Sequence, residues 1–199
     1  MDGRVREKWN RLYSDGPART PEPARVLGEN LHLLPRSGRA LDLACGLGGN
    51  ALLLARAGWQ VSAWDISDVA LAQLRVASAR EGLVVECVCV DLAAEPFPGT
   101  AFDVIVVNRY LQRDLAPKIV AALNPGGLVF YQTFVRSKLA PAGPSNPAYL
   151  LADNELLQLF TPLRVRHYRE DGLAGDLTKG DRDEAFLVAQ KCCQTADRV

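Results

Sequence analysis

Apolar and polar positions along the chain alternate in two rhythms. Short runs of Val, Leu, Ile and Ala recur, and between them lie segments whose apolar residues return every three or four positions. The short runs read as strands buried on both faces and the longer-period segments as covering helices, the pattern of a parallel sheet packed between helical layers. Arg39 to Ala44 is the first predicted strand, and Gly46 to Gly49 turns it into a helix over Asn50 to Ala57 that stops at Gly58. Gln60 to Asp65 is the second strand. Ser67 caps the next helix, which runs to about Glu81 and stops at Gly82. Leu83 to Val90 follows as the third strand, with Cys87 and Cys89 on one buried face, and a Pro-rich loop, Glu95 to Thr100, leads to the fourth, Ala101 to Val107.

Asp114 is the expected cap of the following helix, with Pro117 tolerated in its first turn. Leu115, Ile119 and Leu123 recur at spacing four, which lays one apolar stripe on the sheet. Asn124-Pro125-Gly126-Gly127 predicts a turn before the fifth strand, Leu128 to Val135. The periodicity then breaks, and residues 136–152 read as a loop. Asp153 or Asn154 caps a short helix through Phe160. Leu163 to Glu170 and Asp183 to Lys191 read as two further strands. The stretch between them is short and glycine-rich, too short for a right-handed crossover helix, so they form an antiparallel pair. Ahead of the first strand the pattern predicts helices over Arg4 to Tyr13 and Ala24 to Leu34, joined by extended backbone from Pro17 to Pro23.

Composition narrows the class of partner. In 199 residues Lys plus Arg and Asp plus Glu both number 23, so the formal charge is zero, a balance that recommends neither nucleic acid nor an anionic membrane. The longest apolar runs, such as Val104 to Val107, are too short to span a bilayer, and the N-terminus reads as no secretory signal, so cytoplasmic residence is the expectation. The five cysteines form no disulfide framework, and the two histidines, His32 and His167, lie far from all of them in sequence. Buried, reduced thiols and no metal are expected.

Three places carry candidate chemistry. In Leu41-Asp42-Leu43-Ala44-Cys45-Gly46-Leu47-Gly48-Gly49-Asn50, glycines follow a strand and open a helix, where backbone N–H groups are free to meet a ligand. A tight turn without a ligand is the alternative. Asp65 ends the second strand 17 residues beyond Gly48 (65 − 48), near the ~20 expected of an acid that grips ribose hydroxyls, or it caps the next helix. Asp91 closes the third strand, where a carboxylate could accept from an adenine amino group and the Leu92 N–H could reach the ring. It could equally make a local turn.

Together Asp42, Gly46, Gly48, Asp65, Asp91 and the Asn124 to Gly127 turn resemble the class I S-adenosylmethionine-dependent methyltransferases. The resemblance implies an α/β, Rossmann-like sheet of seven strands in order 3-2-1-4-5-7-6, strand 7 antiparallel. It implies S-adenosyl-L-methionine as cofactor, with Asp42, Ala44, Gly46, Gly48 and Asn50 toward the methionine end, Asp65 and Ile66 at the ribose, Asp91 and Leu92 at adenine, and Asn108 by the amino group. Gly49 beside Gly48 departs from the glycine spacing of many members.

Trp9 to Tyr13 and the Ala63-Trp64-Asp65 stretch are similar to the tellurite-resistance and thiopurine-type branch. There the N-terminal segment covers the cofactor, which implicates Tyr13 and Arg19. Arg19 could otherwise be a solvated loop charge.

The chain is expected to be one methyltransferase domain over residues 1–199, with 1–35 an N-terminal cap, 36–191 the core and 192–199 a tail. Acceptors reach this fold at the carboxyl ends of strands four and five. That nominates Asn108, Arg109, Tyr110, Gln132, Thr133 and Phe134, with Arg136 in the loop beyond. The catalytic residues are not assigned by the sequence. The candidates are Arg109, Tyr110 and His167, the last more readily a core or edge histidine. The expected reaction is methyl transfer to a small-molecule acceptor (an oxyanion, a thiol or a heterocyclic nitrogen) by a monomer or homodimer. A catalytically silent S-adenosylmethionine-binding module and an NAD(P)-dependent reductase are the alternatives.

Overall fold

The computed structural model describes residues 3–15, 20–95, 97, 101–141 and 143–193. Seven strands form one sheet in the order β3-β2-β1-β4-β5-β7-β6. They are β1 (Arg39–Leu43), β2 (Gln60–Asp65), β3 (Val85–Cys89), β4 (Phe102–Asn108), β5 (Leu123–Phe134), β6 (Arg164–Arg169) and β7 (Glu184–Gln190). Strands β1 to β5 pair in parallel, and β7 runs antiparallel to both β5 and β6. This is the order and the antiparallel finish that the sequence predicts.

The sheet is buried because alternate residues of each central strand feed opposite cores. Leu41, Leu43, Ile105, Val107, Val129, Tyr131 and Leu187 pack on the face covered by α5 (Ala116–Ala122) and α6 (Glu155–Leu159). Ala40, Val104, Val106, Leu128, Phe130, Phe186 and Val188 pack on the other. Here lie α2 (Arg25–Gly28), α3 (Gly49–Arg56) and α4 (Asp68–Arg80). Helix α1 (Gly3–Ser14) buries none of its own side chains. It is pinned to α4 by Asn10, which donates to Asp68 Oδ1 at 2.6 Å, and by the Gln73 amide on the Tyr13 carbonyl at 3.0 Å. No helix among the described residues is long and apolar enough to cross a membrane.

Several local expectations change. The helix predicted over Ala24 to Leu34 is only α2 followed by a 3-10 turn at Leu31–Leu33. Its Asn30 side chain donates to the Val26 carbonyl at 3.0 Å, closing the first segment from within. Ser67 caps α4 as expected, its hydroxyl accepting from the Ala70 N–H at 3.1 Å.

Asp114 caps nothing, because it lies inside a 3-10 turn, Arg113–Leu115, that precedes α5. Asn154 stands at the start of α6 but with φ +60 and no side-chain cap bond. The Glu155 carboxylate reaches back to the Ala152 N–H instead, at 2.7 Å. The turn at Asn124 to Gly127 lies inside β5 as an outward loop, since Phe102 pairs with Leu123 and Val104 already with Leu128. Cys87 and Cys89 are only half-buried, because β3 is an edge strand.

Candidate functional site

The strand order reverses between β1 and β4, and a crevice opens at the carboxyl ends of the two strands where their connections diverge. The residues just past both strands have left-handed backbone, Ala44 with φ +54 and Arg109 with φ +54. A non-glycine residue held there costs free energy, and such strain gathers at functional sites.

The glycine turn on the β1 side is built for close approach. Gly46 and Gly48 have φ of +52 and +76. A Cβ on Gly46 would lie 2.6 Å from the Tyr13 hydroxyl, and one on Gly49 would collide with the Glu22 carbonyl. The N-terminal segment is therefore laid directly on the turn.

Asp42 sits beneath it, fully enclosed. Its oxygens accept from the Asn50 amide and the Ala51 N–H, both at 3.0 Å, and burial raises its pKa to about 7 despite those bonds. Asn50 passes the restraint on, its Oδ1 accepting from the Ala24 N–H at 2.7 Å. The structure thus places Asp42 and Asn50 as a brace under the cradle rather than on its open face.

Asp65 does face the crevice edge. One carboxylate oxygen accepts from the Gly46 N–H and the other from the Ser67 N–H, each at 2.8 Å, so it ties the glycine turn to the loop after β2. Burial shifts its pKa upward, offset by these donors. Ile66 adjoins it, half-buried, its carbonyl accepting from the Cys89 thiol.

Asp91 makes a local turn with the Ala93 N–H at 3.1 Å, and Leu92 beside it is buried. Asn108 ends β4 with its Oδ1 buried and without a hydrogen-bond partner. A buried acceptor left open is costly unless a ligand completes it. Arg19 lies outside the described residues.

Beyond Asn108 a cleft of about 360 Å³ opens between the ends of β4 and β5, the start of β7 and residues 22–25. Glu22, Asp181, Asp183 and Glu184 line it, together with three arginines. Arg109 crosses it, its Nε donating to Glu184 at 2.6 Å while its guanidinium lies 5.5 Å from the Phe134 ring centre. Arg25 pairs with Asp181.

Tyr110, adjacent in sequence to Arg109, turns the other way and lines no part of this cleft. Its hydroxyl donates to Gln112 at 2.6 Å. Burial, reinforced by the nearby Asp91 and Asp65 charges, raises its pKa to about 12, which puts it on the side of the three aspartates.

No described residue of 136–152 lines the cleft, and residues 180–184 do. Arg136 is exposed beyond it, and Thr133 is buried. His167 sits on β6, the outermost strand, away from the crevice, half-buried with Nε2 unpartnered. Among the described residues no cluster fit to hold a metal occurs.

The residues the sequence reading missed are Glu184 and Asp181. Their signal was present in the antiparallel reading of β7, because the start of such a strand lies beside the carboxyl ends of its parallel neighbours.

The fold is the one shared by the class I methyltransferases. Residues 40–127 match the family described as "Methyltransferase domain". A probable S-adenosyl-L-methionine-dependent methyltransferase, TehB of Haemophilus influenzae, is 28% identical over 152 residues, covering 73% of this chain and 52% of that protein. A ubiquinone biosynthesis O-methyltransferase of Xanthomonas axonopodis is 27% identical over 170 residues, 81% of this chain and 68% of that protein. The crystal structure of TehB from Haemophilus influenzae superposes with a TM-score of 0.70 at 23% identity, covering 92% of this chain and 67% of that one. The chain spans about half the length of the TehB sequence it matches. This chain resembles the class I S-adenosylmethionine-dependent methyltransferases, TehB among them.

The residues present fit the cofactor of that class. The unpartnered Asn108 oxygen suits an ammonium, Asp65 suits a diol, and the side-chain-free turn admits a ligand against its backbone.

Proposed function

We propose that this chain transfers the sulfonium methyl of S-adenosylmethionine to a small polar acceptor bound in the cleft beyond β4. The observation that carries the reading is Asn108, which belongs to both places. It follows Val107, which pairs with Leu43 at the end of the strand that leads into the glycine turn, and it lines the cleft with its Oδ1 unpartnered. The likeness to TehB and to a ubiquinone biosynthesis enzyme, both named as methyltransferases, supports it. In this reading residues 1–35 cap a 36–191 core within one domain.

The bound cofactor supplies an electrophilic methyl group and a neutral thioether leaving group. The protein's part is then alignment and exclusion of water. Asp65 orients the ribose, Asn108 fixes the amino group, and the 22–25 segment closes one side.

Calorimetry with S-adenosylmethionine, S-adenosylhomocysteine, NAD and NADP tests the cofactor. Heat from the first two alone is expected, and tight nicotinamide binding without them would overturn the reading. Labelled methyl transfer to a panel of a selenium or tellurium oxyanion, a thiol and a heterocyclic nitrogen tests the reaction. Cofactor binding without turnover of any of them would leave a binding module.

A further inference from the structure

Glu184 is the carboxylate around which the cleft is built. It opens β7 opposite Phe134, and its side chain is only 11% exposed. Two donors are turned onto it. Arg109 Nε reaches Oε1 at 2.6 Å, and the Gln132 amide donates to Oε2.

The Gln132 donor is not free to turn elsewhere. Gln132 Oε1 already accepts from the Val26 N–H at 2.9 Å, which fixes the sense of its amide and sends its NH2 toward Glu184. Arg109 is held in left-handed backbone by its own N–H on the Gln132 carbonyl at 2.7 Å. Residues of β4, β5 and the N-terminal segment thus converge to hold one charged group at the wall of the cleft, where acidic residues outnumber basic ones.

We propose that Glu184 receives the acceptor's proton, and that the acceptor is therefore an N–H nucleophile, an amine whose neutral form attacks, rather than a preformed oxyanion. The inference rests on the methyl-transfer reading above and names the substrate class of the same site. An N–H donor gains a charge-assisted hydrogen bond from a carboxylate acceptor. An oxyanion meets a like charge in Glu184, which already takes the Arg109 Nε donor.

The balance is simple. The nitrogen lone pair forms the bond to the methyl carbon, and the carbon–sulfur bond breaks with its electron pair going to sulfur. The nitrogen's proton passes to a Glu184 oxygen and from there to water.

The test uses protein saturated with S-adenosylhomocysteine and two probes of the same ring and opposite charge, benzylamine and benzoate, titrated calorimetrically at neutral pH. Benzylammonium is expected to bind at least about tenfold more tightly. Glu184→Gln is expected to erase that preference, with S-adenosylhomocysteine binding as the control for an intact cradle. Equal or tighter binding of benzoate overturns the proposal, as does an unchanged preference in the variant. Absence of heat from S-adenosylhomocysteine itself removes the methyl-transfer reading and the proposal with it. In turnover, methylation of a nitrogen acceptor with kcat lowered about 100-fold by Glu184→Gln, the scale of general base catalysis, supports the assignment. Methylation of selenite alone overturns it and leaves methyl transfer standing.

Discussion

Asp42 and Asp65 end neighbouring strands, yet they answer to different partners. Asp65 holds two backbone N–H groups at the crevice edge and keeps lone pairs for a diol. Asp65→Ala is expected to weaken S-adenosylhomocysteine binding by about 1.5–3 kcal/mol, the scale of lost hydrogen bonds to a charged group. Calorimetry reads this directly, and an unchanged affinity rejects the ribose assignment.

Asp42 is fully enclosed, and its signature is pH. Its pKa is raised to about 7 by burial, against about 3.9 in an unfolded chain. Between those values the folded protein holds a proton that the unfolded one releases. The stability from this group is therefore complete below about pH 4 and is lost as pH rises through 7. Asp42→Asn does not titrate. The melting temperature of the wild-type protein should accordingly fall relative to that of the variant between pH 5 and pH 8, and parallel curves would show that Asp42 stays ionised throughout.

At the scale of elements, the N-terminal segment is a strap fastened at several points. Tyr13 lies over Gly46, the Ala24 N–H is given to Asn50, and the Val26 N–H is given to Gln132. Each tie crosses from the segment to a different part of the crevice rim, so ligand beneath it should tighten the whole. Amide exchange in residues 10–15 and 20–26 is expected to slow when S-adenosylhomocysteine binds, as measured by mass spectrometry. Unchanged exchange at proven saturation would make the segment a packing element only. Asn50→Ala removes the acceptor of one tie and a donor to Asp42 together. It should cost about 1–3 kcal/mol of stability, the penalty for buried polar groups left open, and should speed exchange at Ala24.

At the scale of the molecule, the sheet separates two cores and delivers its strand ends to one rim. Phe130 is fully buried in the middle of β5, on the face shared with α2 and α3. Phe130→Ala should lose about 3–5 kcal/mol in denaturant unfolding. A loss under 1 kcal/mol would mean the core collapses to fill the space. The cleft exists only because β7 runs backwards beside β5. Register sets Glu184 against Phe134 and Gln132 against Phe186, which brings Phe134, Gln132 and Glu184, fifty or more positions apart across the two strands, to one wall.

The sequence by itself determined the strands and the glycine turn, because these follow from local periodicity and from backbone sterics that only glycine satisfies, while the strand order came with the family resemblance. It determined the resemblance to a methyltransferase for the same reason, since Asp42, Gly46, Gly48, Asp65 and Asp91 stand at fixed offsets from strand ends. It did not determine which way those side chains face. Asp42 looks like a ligand-facing acid until the enclosure by Asn50 and Ala51 is seen. Arg109 and Tyr110 look like a pair until the left-handed backbone at Arg109 sends them to opposite sides of the crevice. Gln132 stands at a strand end that the sequence points to, but its contact with Glu184, and the place of Glu184 and Asp181 on the same cleft wall, were decided by tertiary structure. Hydrogen bonds between groups distant in the chain leave no periodicity behind, and one reversed strand is enough to bring them together.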